Sequence, residues 1–216
     1  MNEAPILYSF RRCPYAMRAR MAIAVSATPV RLREILLRDK PEEMLSVSSK
    51  GTVPVLVIGE QVIDESLDVM DWALARNDPE GWRARIDNAL IAENDGPFKH
   101  HLDRYKYSTR YEDADAQTHR ATGFAFLLKL EARLTDQNYL HGDERGFSDI
   151  AIFPFVRQFR IADKDWFDAA PITNVQRWLA GLMESALFTS VMAKYPLWKE
   201  TGEEISFPTL PPSSRT

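Results

Sequence analysis

The chain is read as an α/β domain followed by an all-α helical bundle domain. Three observations lead there. Up to residue 77, short apolar runs of strand length alternate with segments of helical character. The stretch Asn77–Gly81 (NDPEG) is turn chemistry and marks a boundary. Beyond it, apolar residues recur at helical spacing. With 216 residues, 45% of them apolar, there is material for one large domain or two small ones.

Residues 5–10 (PILYSF) form an apolar run closed by arginines and fit a buried strand. Residues 15–27 are rich in Ala and Met and fit a helix, with Pro14 suited to its first position because the N–H it lacks has no partner there. Residues 29–37 alternate Val30, Leu32 and Glu34 before turning apolar, which suggests a second strand, and strand–helix–strand order favours parallel pairing. Residues 41–47 read as a short helix with Glu42 and Glu43 in its first turn. VPVLVIG and QVI, meeting at Gly59–Glu60, predict an antiparallel hairpin. Residues 65–77 close a β-α-β-α-β-β-α order, with Leu67, Met70 and Leu74 on one helix face. The first domain is therefore placed at 1–77 and the helical domain at 82–205. Within the latter, 82–107 and 114–134 read as long helices. In 172–185, Val175, Trp178, Leu179, Leu182 and Met183 form a buried stripe. The Pro- and Ser-rich end, 206–216, is expected to be an extended tail.

The charge balance of −4, from 27 basic and 31 acidic side chains, argues against a nucleic-acid binder. No run approaches the 18 or so apolar residues of a membrane span, and the N-terminal residues do not read as a secretion signal. A single cysteine closes no internal disulfide, so the expected setting is reducing and cytoplasmic.

That cysteine, Cys13, lies in RRCPYAMRAR between the first strand and the first helix. With Pro14 as the first helical residue, Cys13 becomes the N-cap, facing the free N–H groups and the positive end of the helix dipole. Arg11, Arg12, Arg18 and Arg20 add cationic charge, though some must point away. Such settings lower a cysteine pKa from about 8.5 to roughly 3.5–7.5, which makes Cys13 a candidate reactive thiolate. The alternative is a small buried hydrophobe. Ala16 stands where a C-x-x-C partner would be, so any mixed disulfide on Cys13 needs an external thiol to resolve it.

Two downstream pairs bear on a ligand. Val53 precedes Pro54 at a strand start. A cis bond there would turn the Val53 peptide outward, although trans is the commoner form. Glu65–Ser66 opens the third helix. The backbone N–H groups and the Ser66 hydroxyl suit a carboxylate and Glu65 an ammonium group, while on local grounds alone simple N-capping by Ser66 is the readier explanation.

YSFRRCPYA (8–16), LRDKP (37–41), GTVPVL (51–56) and DES (64–66) occur together in an order and spacing that resemble the cytosolic glutathione transferases, most closely the omega and dehydroascorbate-reductase-like cysteine class. The resemblance runs through nearly the whole chain and implies a thioredoxin-like first domain. It implies Cys13 as the catalytic thiol forming a mixed disulfide with glutathione. Tyr15 and Leu37 would line the glutathione site, and Lys40 would approach the glycine carboxylate. Val53 would pair with the cysteinyl part, with Pro54 cis, and Glu65 and Ser66 would hold the γ-glutamyl end. It further implies a homodimer, a small electrophilic or disulfide second substrate, and no metal. The activity implied is glutathione-dependent thiol transfer. Conjugation of glutathione to electrophiles, or a weakly active binding module, are the alternatives. The family's Ser/Thr-x-x-Asp cap of a buried helix appears here as Gly146-Phe147-Ser148-Asp149, a change expected to cost only a few tenths of a kcal/mol.

Tyr8 and Ser9 stand where other classes carry their thiolate-holding hydroxyl, and here are read as structural. His100 and His101 point about 100° apart on a helix. With His119 and His141 distant in sequence, no metal site is expected. Phe98 and Tyr105 are weighed between the second-substrate pocket and the core.

Overall fold

The computed structural model describes residues 3–112 and 114–209. It divides into two compact units. One runs to Pro79 and resumes at Ala186, and the other is Glu80–Ser185.

The first unit opens with β1 (Ile6–Ser9), α1 (Pro14–Ser26), β2 (Val30–Glu34), α2 (Glu42–Val47), β3 (Val55–Ile58), β4 (Gln61–Ile63) and α3 (Ser66–Leu74). This is the β-α-β-α-β-β-α order read from the sequence. β1 and β2 are parallel, β1 and β3 antiparallel, and β3–β4 is a hairpin turned at Gly59, whose φ of 60° is one glycine adopts freely. α1 is buried almost all round, from Ala16 to Ile23. Small Ala side chains allow α3 to pack closely on it, and they leave Arg18 and Arg20 inside the unit at 2% and 1% exposure.

The second unit contains α4 (Asn88–Glu93), α5 (Lys99–Lys106), α6 (Ala116–Arg133), α7 (Phe147–Ala162), α8 (Lys164–Ala169) and α9 (Thr173–Glu184). The long helix expected over 82–107 is interrupted. A π turn at Asn94–Phe98 carries Pro97, which has no N–H to continue the ladder. The α9 stripe is buried at Val175, Trp178, Leu179 and Leu182, while Met183 is half-buried. α7 is the central helix, with Ile150, Ile152, Phe153, Phe155, Val156 and Phe159 fully buried.

The start of α7 explains its glycine. Asp149 accepts the Gly146 N–H at 2.9 Å, the Leu140 N–H at 2.9 Å and the Trp178 indole N–H at 2.8 Å. The acceptor that a Ser or Thr cap would supply is replaced by the Arg85 carbonyl, which takes the Ser148 N–H at 3.3 Å. Arg85 lies so close that a Cβ on Gly146 would run into its Cβ and backbone oxygen. Glycine is thus required here by close backbone approach, where the sequence alone suggested a near-neutral exchange.

The chain then returns to the first unit as α10 (Ala186–Val191), α11 (Trp198–Thr201) and β5 (Ile205–Phe207). β5 pairs antiparallel with β2, Val30 opposite Phe207 and Leu32 opposite Ile205, giving the strand order β4-β3-β1-β2-β5. The sequence reading assigned 82–205 to the helical domain and 206–216 to a tail. The structure moves 186–209 to the first unit. A three-residue strand is too short to show periodicity, but Phe207 is only 2% exposed. Residues 210–216 of that expected tail lie outside the described residues. Arg33 locks the return, donating to Glu204 at 2.7 and 2.5 Å and lying 4.0 Å over the Trp198 ring.

Candidate functional site

The β1–α1 connection is short and tightly held. Cys13 is the N-cap of α1 with extended backbone (φ −74°, ψ 124°), and Pro14 stands in the first helical turn. Its N–H donates to the Phe10 carbonyl at 3.0 Å and its carbonyl accepts from Met17 at 2.9 Å. The thiol is partly exposed. Its Sγ donates to the Val53 carbonyl oxygen at 3.7 Å, across the cis Val53–Pro54 bond. Sulfur and strand edge, 40 residues apart in sequence, are therefore one locus.

Beneath this loop lie two buried charged side chains whose arrangement sequence reasoning missed. Arg20 donates to Ser9 Oγ at 2.6 Å and to the Arg11 carbonyl at 2.7 Å, while Glu34 Oε1 accepts the Arg11 N–H at 2.6 Å. The Arg11 peptide is gripped on both sides, which sets the approach to Cys13. Burial lowers the Arg20 pKa to about 10, against the pull of Glu34 and of an ionised Cys13. Burial raises the Glu34 carboxyl, opposed by the Arg11 N–H and the Arg20 charge. Alternation showed Glu34 on the inward face of β2, the one available signal. Ser9, fully buried under Arg20, has the structural role expected of it. Tyr8 does too: its hydroxyl accepts from Arg33 at 2.6 Å, its ring meets Trp198 edge-on, and burial raises its pKa.

The arginines divide their work. Arg12 lies 5.5 Å over the Phe10 ring. Arg18 stacks 5.0 Å over half-buried Tyr15 and donates from Nε and Nη2 to Ser66 Oγ. Ser66 does not cap α3: the N-cap is Glu65, and no side chain bonds the first turn. Its hydroxyl faces Arg18 and keeps its own proton to donate. Glu65, 65% exposed, is held at 2.6 Å by Lys50, which also bonds Asp64 at 2.9 Å. Asp64 is pulled below the usual carboxylate range chiefly by Lys50, then by the Ser48 hydroxyl, and Lys50 is raised by the two acids. Lys50 was absent from the sequence reading, and only its nearness to Gly51 marked it. Lys40 borders Gly51, where a Cβ would meet its Nζ and Leu45 at 3.4 Å. Leu37 is 41% exposed. The structure thus joins Cys13 to Val53, Tyr15 to Ser66 through Arg18, and Glu65 to Lys50. Lys40 and Leu37 share no described bond with them.

In the helical unit, Phe98 is core, 4.7 Å from Phe126 and 5.5 Å from Phe159, and Tyr105 packs 4.9 Å from Phe159. Phe98 is buried and Tyr105 half-buried. The histidines depart from expectation. α5 and α6 pack together and bring His119 to His100 and His101. His141 stays apart, bonded to Ser148 Oγ at 3.1 Å. Among the described residues, no helix is long and apolar enough to cross a membrane.

The chain is similar to known proteins. The model of the glutathione S-transferase N-terminal domain matches residues 7–81, and that of the C-terminal domain matches 60–181. A probable glutathione S-transferase, parA, of Nicotiana tabacum is 26% identical over 168 residues, 71% of this chain and 72% of that protein. A probable glutathione S-transferase, the chloroplastic DHAR2 of Oryza sativa subsp. japonica, is 22% identical over 190 residues, 84% of this chain and 65% of that protein. A glutathione transferase of Burkholderia graminis, crystallised with two glutathione molecules per subunit, superposes with a TM-score of 0.73 at 19% identity, covering 88% of each chain. With the C-terminal-domain model alone spanning more than half of its residues, the chain belongs to the glutathione S-transferase family.

Proposed function

We propose that this protein is a glutathione transferase of the cysteine type, reducing mixed disulfides through Cys13. The observation that carries the reading is the partly exposed Cys13 sulfur at the N-cap of α1, in contact with the backbone of Val53. Helix N-terminus and buried Arg20 favour an anionic sulfur at that point. The bond to the Val53 carbonyl exists only while the proton stays on sulfur, so ionisation releases that carbonyl to the incoming peptide. Val53 then pairs with the cysteinyl residue of glutathione as an added strand. Tyr15 and Leu37 line the tripeptide, and Lys40 meets its glycine carboxylate. The Ser66 hydroxyl and the first N–H groups of α3 take the γ-glutamyl carboxylate, and Glu65 takes the ammonium.

The reaction has two displacements. The Cys13 thiolate attacks the glutathione sulfur of a mixed disulfide, forming the Cys13–glutathione disulfide and expelling the other thiolate. A second glutathione thiolate then attacks the glutathione sulfur on Cys13, leaving oxidised glutathione and the free Cys13 thiolate. Because Ala16 occupies the C-x-x-C position, no internal thiol competes for that step. The reading includes a homodimer, to be checked by light scattering.

The test compares wild type with Cys13→Ala for reduction of a glutathione mixed disulfide and for conjugation of glutathione to an aryl halide. Loss of reduction by roughly a hundredfold or more supports the reading, given the usual worth of a covalent nucleophile. Reduction that survives the substitution overturns it. Conjugation that rises in Cys13→Ala while wild type reduces nothing points to the conjugating alternative.

A further inference from the structure

We propose that His100, His101 and His119 form a divalent transition-metal site of the copper(II) or nickel(II) kind, on the α5–α6 face of the helical unit. The three imidazoles each offer a nitrogen, and these nitrogens all lie within 4.8 Å of one another. Their ring centroids are 5.0, 5.0 and 6.0 Å apart. No mechanism described above uses any of them.

The closest pair defines the coordination. His101 Nδ1 and His119 Nδ1 are 2.8 Å apart. Without a metal, one of them carries a proton and donates it to the other. Metal–imidazole bonds are about 2.0–2.1 Å long, and two such bonds with their nitrogens 2.8 Å apart enclose an angle of about 86°. That is the edge of a square or tetragonal site, the geometry of copper(II) and nickel(II). A tetrahedral zinc edge needs about 3.4 Å, so zinc would require the two helices to part by roughly half an ångström. On binding, the shared Nδ1 proton leaves and the donor ring takes its proton on Nε2, so both rings remain neutral ligands.

The surroundings fit neutral rings. Burial, then the neighbouring His100, His119 and Arg104, hold His101 below the usual histidine range, and burial and Arg104 do the same to His119 against Asp115. Arg104 is the opposing element, since it donates to His100 Nδ1 at 3.0 Å. That bond is exposed, and Arg104 also stacks 4.5 Å over Tyr111, where it stays when His100 turns to the metal. Backbone geometry supports the closeness of the helices. Gly123 of α6 leaves only 3.7 Å between a Cβ built there and His101 Cβ.

The experiment titrates the full, tag-free chain with nickel(II) by calorimetry and records the copper(II) electron paramagnetic resonance spectrum. One ion per chain is expected, with superhyperfine splitting from imidazole nitrogens. His101→Gln and His119→Gln each weaken nickel(II) binding by roughly a hundredfold, and His100→Gln by roughly tenfold, while His141→Gln leaves it unchanged. Thermal melts of the four variants without metal show whether they fold. Nickel(II) binding that is absent from the wild type, or is unchanged in folded His119→Gln, overturns the proposal. So does a copper(II) signal that follows Cys13→Ser rather than the histidines.

Discussion

Arg18 donates two hydrogen bonds, at 3.0 and 2.8 Å, to the hydroxyl of Ser66. A guanidinium inside α1 therefore orients the residue that opens α3. The cation polarises the hydroxyl and leaves its proton facing away from Arg18.

Arg18→Met preserves bulk but leaves Ser66 unheld. The expected stability loss is about 2–3 kcal/mol, the worth of buried bonds to a charged donor. KM for glutathione should rise by roughly tenfold with a smaller change in kcat, because the role proposed for Ser66 is in ground-state binding. A denaturant titration and steady-state kinetics measure both. An unchanged KM in a folded variant would confine the contact to structure.

Gly146→Ser tests the start of α7. A family pattern of Ser/Thr-x-x-Asp predicts that serine is harmless or helpful there. The crowding by Arg85 predicts a loss of about 1–3 kcal/mol, the usual cost of forcing atoms into filled space. The denaturation midpoint decides between them by its direction alone.

Phe207→Ala should cost about 3–5 kcal/mol, as for a buried phenylalanine, because β5 seals the edge of β2. Accessibility of Cys13 to an alkylating reagent should rise in the same variant, since both residues belong to the first unit. If residues 205–207 were a loose appendage, neither measurement would move.

Glu80 receives two bonds of 2.6 Å from Arg145, and these, with help from the Trp82 indole, hold its carboxyl below its ordinary 4.5 despite partial burial. A depressed folded-state pKa gives stability that is complete above about 4.5 and is lost as pH falls through the folded value. Glu80→Gln should therefore lower stability by about 1 kcal/mol at pH 7, a figure kept small because the pair is part-exposed, and by much less at pH 3. Chemical unfolding of both proteins at the two pH values checks it. An equal difference at both would remove the charge from the explanation.

The parts of this molecule that could be read in one dimension are those set by neighbours in sequence. Cys13 was legible as an N-cap because Pro14 follows it, and the β3–β4 hairpin because Gly59 separates two apolar runs. What escaped was set by partners far along the chain. Arg18 and Arg20 looked like charges scattered around a thiol, yet they sit inside the unit because Ser66, Ser9 and the Arg11 carbonyl receive them. Lys50 acquires meaning only when the hairpin brings Asp64 and Glu65 beside it. His119 joined His100 and His101 once α5 and α6 packed, which no local spacing reveals. Gly146 read as a tolerated cap until Arg85, more than half a hundred residues earlier, filled its Cβ position.

The junction of Arg33 with Glu204 spans 171 residues of chain. On a ribosome, β2 is made early and its outer edge waits, with open N–H and C=O groups, until β5 emerges. The helical unit, whose contacts are all in hand by Ser185, can settle first. The Cys13 unit therefore reaches its finished form only once residues 205–207 have emerged, and a chain stalled short of residue 205 presents a nascent sheet with a sticky margin.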